Sequence, residues 1–187
     1  MKLAAVHYDA GEGQRVDALL SETARNLRSR GWRIAGTVQA NEPRSDGCRC
    51  LMTLIDLASG ERINATENRG PLAKGCHLDT AALEEAVGLA ISSLTPAIDL
   101  VIINRFGKRE AEGRGFRPLI EAAVELDIPV LIGVNQSQRA AWHIFSGAAG
   151  KMLKADAEAI RGWCEAAVDW PIAHTRITAT SPNELSR

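Results

Sequence analysis

Two glycine-bearing polar segments hold the residue types best suited to chemistry. The first, Asp9-Ala10-Gly11-Glu12-Gly13-Gln14-Arg15, follows a short apolar run and leads into a helical pattern. Backbone N–H groups at a helix start have no partners within the helix, and the helix dipole favours negative charge there. Such a loop can therefore cradle a phosphate or another oxyanion. Hydrolysis of a nucleotide on a loop of this kind needs a lysine for the terminal phosphates and a Ser/Thr hydroxyl for Mg²⁺. Here Gly13 is followed by Gln14 and Arg15, so there is no Gly-Lys-Ser/Thr. Glu12 and Asp17 would meet an incoming phosphate with like charge unless they point elsewhere. Arg15 offers a planar fork where lysine would offer a point charge. A tight strand-to-helix turn without any ligand is the competing reading of this loop.

The second segment follows the apolar run Leu100-Val101-Ile102-Ile103 and starts with Asn104 and Arg105. A Mg-dependent nucleoside triphosphatase ends such a strand with an acidic residue that holds the metal. An amide and a cation stand there instead. Lys108, Arg109 and Arg114 follow, interleaved with Glu110 and Glu112. Together with Arg105 they make four cations near a glycine turn, a set that can bind a multiply charged anion without a metal. A solvated loop whose glutamates neutralise its cations is the alternative. His7, at the end of the first apolar run, reads as a structural residue before a ligand, although histidine titrates near neutral pH. Cys76 and His77 sit in a segment that could fold over the site. Cys48-Arg49-Cys50 has one intervening residue rather than the two of common zinc knuckles, so a four-ligand metal site with Cys76 and His77 is the minority reading. Trp142 and His143 read as packing, and Trp163 and Trp170 as anchors of a C-terminal helix or a subunit contact.

The elements that must position these residues follow from periodicity. Leu3–Tyr8 reads as a buried strand, and helical spacing from Val16 runs to Arg30, where Gly31 closes the helix. Strands are expected over 32–39 and 50–57, with a turn at 58–61 and a pairing segment at 62–66. Residues 68–78 read as a surface loop. Asp79 caps a helix reaching Leu94, and a strand over 98–103 is nearly continuous in apolar residues, as suits burial on both faces. Residues 104–115 read as a charged loop, 116–126 as a helix and 130–134 as another buried strand. Further helices are expected over 140–145 and 156–168. Alternating helices and buried strands, with a hairpin after the second strand, predict a three-layer α/β fold: a largely parallel sheet with an antiparallel edge. One domain over residues 1–170 with a C-terminal tail over 171–187 is expected.

The whole-chain totals bound the function classes. The chain has 187 residues and a formal net charge of -1, which argues against a broad nucleic-acid surface. Its apolar stretches are too short to span a bilayer, and the first residues lack the pattern of a signal peptide. A cytoplasmic protein with free thiols or metal-ligating cysteines is the expectation.

Leu3–Tyr8 with its glycine loop, the segment Ile55-Asp56-Leu57-Ala58-Ser59-Gly60-Glu61 and residues 101–108 resemble the thermophilic P-loop nucleoside-triphosphatase family. They look still more like its bacterial relatives encoded beside molybdate-transport genes. The segment from Asn104 to Gly115 is the most specific part of that likeness, and Gly75-Cys76-His77-Leu78-Asp79 and Pro129-Val130-Leu131 also fit. The likeness covers residues 3–147. It implies a P-loop-like fold with degenerate nucleotide motifs, because the lysine, the hydroxyl and the acidic pair have no counterparts here. It further implies molybdate or tungstate as the anion, in a protein accessory to molybdenum uptake or handling. Composition and spacing do not separate those oxyanions from phosphate. The expected site comprises Gly11, Gly13, Gln14, Arg15, Asn104, Arg105, Lys108, Arg109, Arg114, His7, Cys76 and His77, with no catalytic residue and no required metal. A divergent triphosphatase using ATP or GTP with Mg²⁺ is one alternative. A ligand-gated interaction module for a molybdate transporter or a cofactor-assembly protein is the other. Pairing into a homo-oligomer is also expected.

Overall fold

A computed structural model describes residues 2–42, 51–67 and 78–168. Cys48, Cys50, Cys76, His77, Trp170, most of the expected 68–78 loop and the expected tail lie outside the described residues. The elements run β1 (Leu3–Tyr8), α1 (Gly13–Ser29), β2 (Ile34–Glu42), β3 (Leu51–Asp56) and β4 (Arg62–Asn64). They continue with α2 (Thr80–Ser92), β5 (Leu100–Phe106), α3 (Lys108–Ala111), α4 (Arg117–Glu125), β6 (Val130–Asn135), α5 (Arg139–Ser146), β7 (Gly150–Lys154) and α6 (Ala157–Val168).

The strands form a single seven-stranded sheet in the order β4-β3-β2-β5-β6-β1-β7. Five strands from β2 to β7 pair in parallel, and β3 and β4 extend the β2 side as an antiparallel meander. The expected fold class therefore stands. Side chains alternate across each strand, and β1 shows what that does to the core. Leu3 and Ala5 join α2, α4 and α5 on one face, whereas Ala4, Val6 and Tyr8 join α1 and α6 on the other. Both faces are covered there, so β1, β5 and β6 read as unbroken apolar runs rather than alternating ones.

Local chemistry explains the element ends. Asp79 accepts hydrogen bonds from the amides of Ala81 and Ala82, fixing the start of α2. The Asp56 carboxylate accepts from the Ser59 amide and hydroxyl, both at 2.8 Å, and so closes the turn between β3 and β4. Gly36 adopts φ +102 in β2, and a Cβ there would sit 2.1 Å from the Ile102 carbonyl oxygen. Only glycine allows β2 and β5 to approach so closely.

Two expectations need correction. Residues 104–106 are not loop: they extend β5 to Phe106, and Lys108–Ala111 form the short helix α3. Polar residues at a strand end read as loop, but Asn104 is buried in a polar network that satisfies it. The edge strand β7 was not expected either. Its sequence, Gly-Lys-Met-Leu-Lys, carries charges that suit an exposed edge and hide the strand pattern.

Candidate anion site at the carboxyl ends of the strands

The loop after β1 and the end of β5 meet at the carboxyl edge of the sheet, where open α/β sheets hold ligands. Gly11 takes φ +93, a conformation that favours glycine and reverses the chain into α1. The Glu12 carboxylate folds back to accept a hydrogen bond from the Asp9 amide at 3.0 Å, and the Glu12 amide donates to the Asp9 carbonyl at 3.2 Å. That backbone hydrogen bond, with Arg15 nearby, holds the Glu12 carboxyl below its ordinary pKa. Glu12 therefore braces the loop.

Asp17 is the centre of the site. Its side chain is only 3% exposed, yet four donor contacts saturate it. Arg105 donates through Nε (3.3 Å) and a terminal nitrogen (2.6 Å), Asn104 through its amide (3.1 Å) and Asn41 through its amide (2.9 Å). Gln39 closes the network, accepting from Asn104 at 3.2 Å and donating to Asn41 at 2.6 Å. Burial opposes the charge on Arg105, but the hydrogen bond and charge of Asp17 outweigh it and raise the guanidinium pKa. A buried charge held by a fork of hydrogen bonds is stable where an unpaired one would not be.

The guanidinium is fixed over the start of α1. A Cβ on Gly13 would lie 3.1 Å from a terminal nitrogen of Arg105, so Gly13 leaves the space that Arg105 fills. The Arg105 side chain remains 42% exposed, and its other terminal nitrogen makes no bond to Asp17. Tyr8, at the end of β1, belongs to the same face as α1 and is 4% exposed. Among the described residues its hydroxyl has no hydrogen-bond partner. Burial raises its pKa, with Arg105 opposing and Asp17 adding to the shift. The start of α1 and the Arg105 guanidinium thus meet beside a neutralised carboxylate, with Tyr8 near enough to sense the charges of Arg105 and Asp17.

The structure brings together Gly13, Asn104 and Arg105 from the expected set, on the loop shaped by Gly11. It separates the others. Gln14 is exposed on the flank of α1. Arg15 turns away, to Glu12 at 3.1 Å and to the Ala155 carbonyl at 2.8 Å. His7 contacts the Gln136 side chain, on the sheet face opposite Tyr8. Lys108 and Arg114 both pair with Glu112, at 3.7 and 2.5 Å, and Arg109 donates to the Thr80 hydroxyl at 2.6 Å. Among the described residues Glu110 pairs with no cation. It is buried, and its carboxylate accepts from the amides of Gly107 (2.7 Å) and Phe116 (3.0 Å). Sequence reasoning did not place Tyr8, Gln39 or Asn41 in the site, and it treated Asp17 as a repelling charge. The available signal was a buried-phase position: Asp17 lies one residue after Val16 and three before Leu20 on the core stripe of α1.

Mg²⁺ does not fit this arrangement. The strand end that would supply a carboxylate carries an amide and a guanidinium, and the nearest buried carboxylate, Asp17, is already saturated. Among the described residues, no three His, Cys, Asp or Glu side chains gather to hold a metal ion.

A sheet with a glycine turn leading from its first strand into a helix, and a second buried strand ending beside that turn, defines a P-loop-like α/β protein related to nucleoside triphosphatases. The chain belongs to the DUF2478 family, described as proteins of unknown function, whose model matches residues 3–163. It is 36% identical over 162 residues to "Molybdenum import ATP-binding protein ModC 2" of Bradyrhizobium diazoefficiens, covering 87% of this chain. The matched part spans 18% of that protein's length. It is 29% identical to "Nucleoside-triphosphatase THEP1" of Methanosarcina acetivorans, over 72% of this chain and 77% of that one. The crystal structure of THEP1 from Aquifex aeolicus superposes with a TM-score of 0.58, covering 89% of this chain and 96% of the other at 16% identity. That likeness establishes the fold. Among the described residues no helix is long and apolar enough to cross a membrane.

Proposed function

We propose that this protein binds a tetrahedral oxyanion, molybdate or tungstate or the phosphate of a nucleotide, without hydrolysing anything, as an accessory of molybdenum import. The observation that carries the reading is the Asp17–Arg105–Asn104 network. In a hydrolysing P-loop site, a lysine, a hydroxyl and a carboxylate-held Mg²⁺ share the charge of phosphoryl transfer, so losing all three removes most of that stabilisation. Here a guanidinium held in place by Asp17 presents its remaining N–H groups as oriented donors, and the α1 amides and Tyr8 hydroxyl add neutral ones. This set recognises a divalent oxyanion and offers no group to activate water. The accessory role rests on the match to part of a protein named for molybdenum import.

Calorimetry with molybdate, tungstate, phosphate and ATP, each in excess chelator, tests the reading. Binding of at least one of them, independent of Mg²⁺, is expected. Arg105→Ala should weaken it by roughly 10- to 100-fold, the worth of a charge-assisted hydrogen bond. Absence of heat for all four would end the proposal. The relationship to nucleoside triphosphatases supports a second reading, a divergent hydrolase. It requires Mg-dependent phosphate release from ATP or GTP above a heat-killed control.

A further inference from the structure

Among the described residues, the start of α1 is rich in hydrogen-bond donors and poor in free acceptors. Its first-turn amides have no partners within the helix, and Glu12 gives them no side-chain cap. Arg105 commits Nε and one terminal nitrogen to Asp17. Its other terminal nitrogen makes no bond to Asp17 and lies 3.8 Å from where a Cβ on Gly13 would stand. Tyr8 is 4% exposed, and its hydroxyl has no partner among the described residues. A buried hydroxyl left unpaired is costly, and an anion's oxygen would satisfy it.

The side-chain acceptors nearby are already engaged. Asp17 holds Arg105, Asn104 and Asn41, and Glu12 holds the Asp9 amide and Arg15. The amide oxygens of Asn104, Gln39 and Asn41 each take an N–H from within the same network. Asp9 is the exception, an exposed carboxylate on the loop. Tetrahedral oxyanions differ in what they ask of such a site. Molybdate, tungstate and sulfate carry no proton near neutral pH, whereas inorganic phosphate always carries one there and gains another as the solution turns acidic. A protonated oxygen is itself a donor, and against an N–H or O–H it leaves both groups unpaired. Arg105 is 42% exposed, so the site has an open side. Monohydrogen phosphate can turn its hydroxyl there, but dihydrogen phosphate has a second hydroxyl that must face a donor.

We propose, resting on the oxyanion reading above, that this site selects proton-free tetrahedral dianions and turns phosphate away increasingly as pH falls, with Tyr8 as a specificity-determining residue. The ligand class is that of molybdate, tungstate and sulfate. The charged and titratable groups around the site are His7 and Tyr8 from β1, Asp9 and Glu12 from the loop, Arg15 and Asp17 from α1 and Arg105 from β5. Lys154 and Asp156 flank Ala155, which Arg15 reaches. Sulfate gains no proton over the range in which phosphate does, so a phosphate-to-sulfate ratio removes the contribution of the protein's own titration.

Calorimetry of the full chain with sulfate, phosphate and molybdate at about pH 6 and about pH 8.5 tests the proposal. Sulfate and phosphate are close in size and shape and differ in their protons. Sulfate and molybdate should keep their relative affinity across this range, while phosphate weakens about tenfold against sulfate at the lower pH. Tyr8→Phe removes no hydrogen bond among the described residues. It should weaken sulfate severalfold and narrow the gap between sulfate and phosphate at the lower pH, because the second phosphate hydroxyl then meets no opposing donor. A purely structural role for Tyr8 would weaken both anions alike and leave the gap. An unchanged phosphate-to-sulfate ratio at the two pH values, a gap that Tyr8→Phe leaves intact, or molybdate bound with sulfate excluded, which is selection by size, would each overturn the proposal. Phosphate bound at the lower pH and lost in Asp9→Asn would also overturn it, by making Asp9 an acceptor for the phosphate proton. No heat from any of the three anions would instead overturn the oxyanion reading itself.

Discussion

Asp17 changes the meaning of every charged residue near it. Read in sequence, it is a carboxylate where phosphate should approach. In the fold it is the acceptor that fixes Arg105 and orders Asn104 and Asn41. Asp17→Ala should destabilise the protein by about 2–4 kcal/mol, because it leaves the part-buried Asn41 amide and a half-exposed guanidinium without an acceptor and removes one of the two acceptors of the buried Asn104 amide. The measurement is urea denaturation of the single and double variants with Arg105→Ala. A coupling energy of about 1–3 kcal/mol is expected, and additive effects would contradict the pair. The sequence showed the types that form this network but not their pairing, since Asp17 and Arg105 lie far apart along the chain and meet through sheet order. Arg15 shows the same limit in reverse. It is adjacent to the loop in sequence, and its side chain is committed to Ala155 near α6.

The elements position the site through close approaches that leave no room for larger residues. Gly133 in β6 is one of them, because a Cβ there would lie 2.4 Å from the Asn104 carbonyl oxygen. Gly133→Ala should push the end of β5 outward and displace Asn104 and Arg105 from Asp17. A fall in thermal midpoint together with lost oxyanion binding is expected, and binding kept at full affinity would contradict that coupling. The α3 segment depends on a different device. Glu110 ties Gly107 to Phe116, so Glu110→Ala frees two amides and should increase hydrogen exchange across residues 107–116 while β5 stays protected. Periodicity revealed most helices and the buried strands because core burial imposes it. It missed the polar end of β5, whose burial is paid for by hydrogen bonds rather than apolar contact, and β7, an exposed edge.

At the scale of the molecule, α1 and α6 cover one face and α2, α4 and α5 the other, which buries Cys164 on the inner side of α6. Burial pushes its thiol up to about 12. An unfolded thiol ionises near pH 8.5, so the folded state holds its proton over a range where the unfolded state releases it. The contribution to stability is complete below the unfolded value and is lost as pH rises from about 8.5 towards 12. Denaturation midpoints should fall over that range in the native protein and fall less in Cys164→Ala. A thiol reagent at neutral pH should reach Cys164 only after unfolding. The fold class was legible from the order of helices and buried strands.

The central claim is that the glycine turn, Arg105 and Tyr8 enclose a metal-independent oxyanion. Diffraction at the tungsten absorption edge from crystals grown with tungstate and chelator tests it most directly. The account predicts an anomalous peak at the start of α1, within hydrogen-bond reach of Arg105 and the first-turn amides, and absent in Arg105→Ala. A peak elsewhere on the molecule, or none at saturating tungstate when molybdate and phosphate also give no heat, would contradict it.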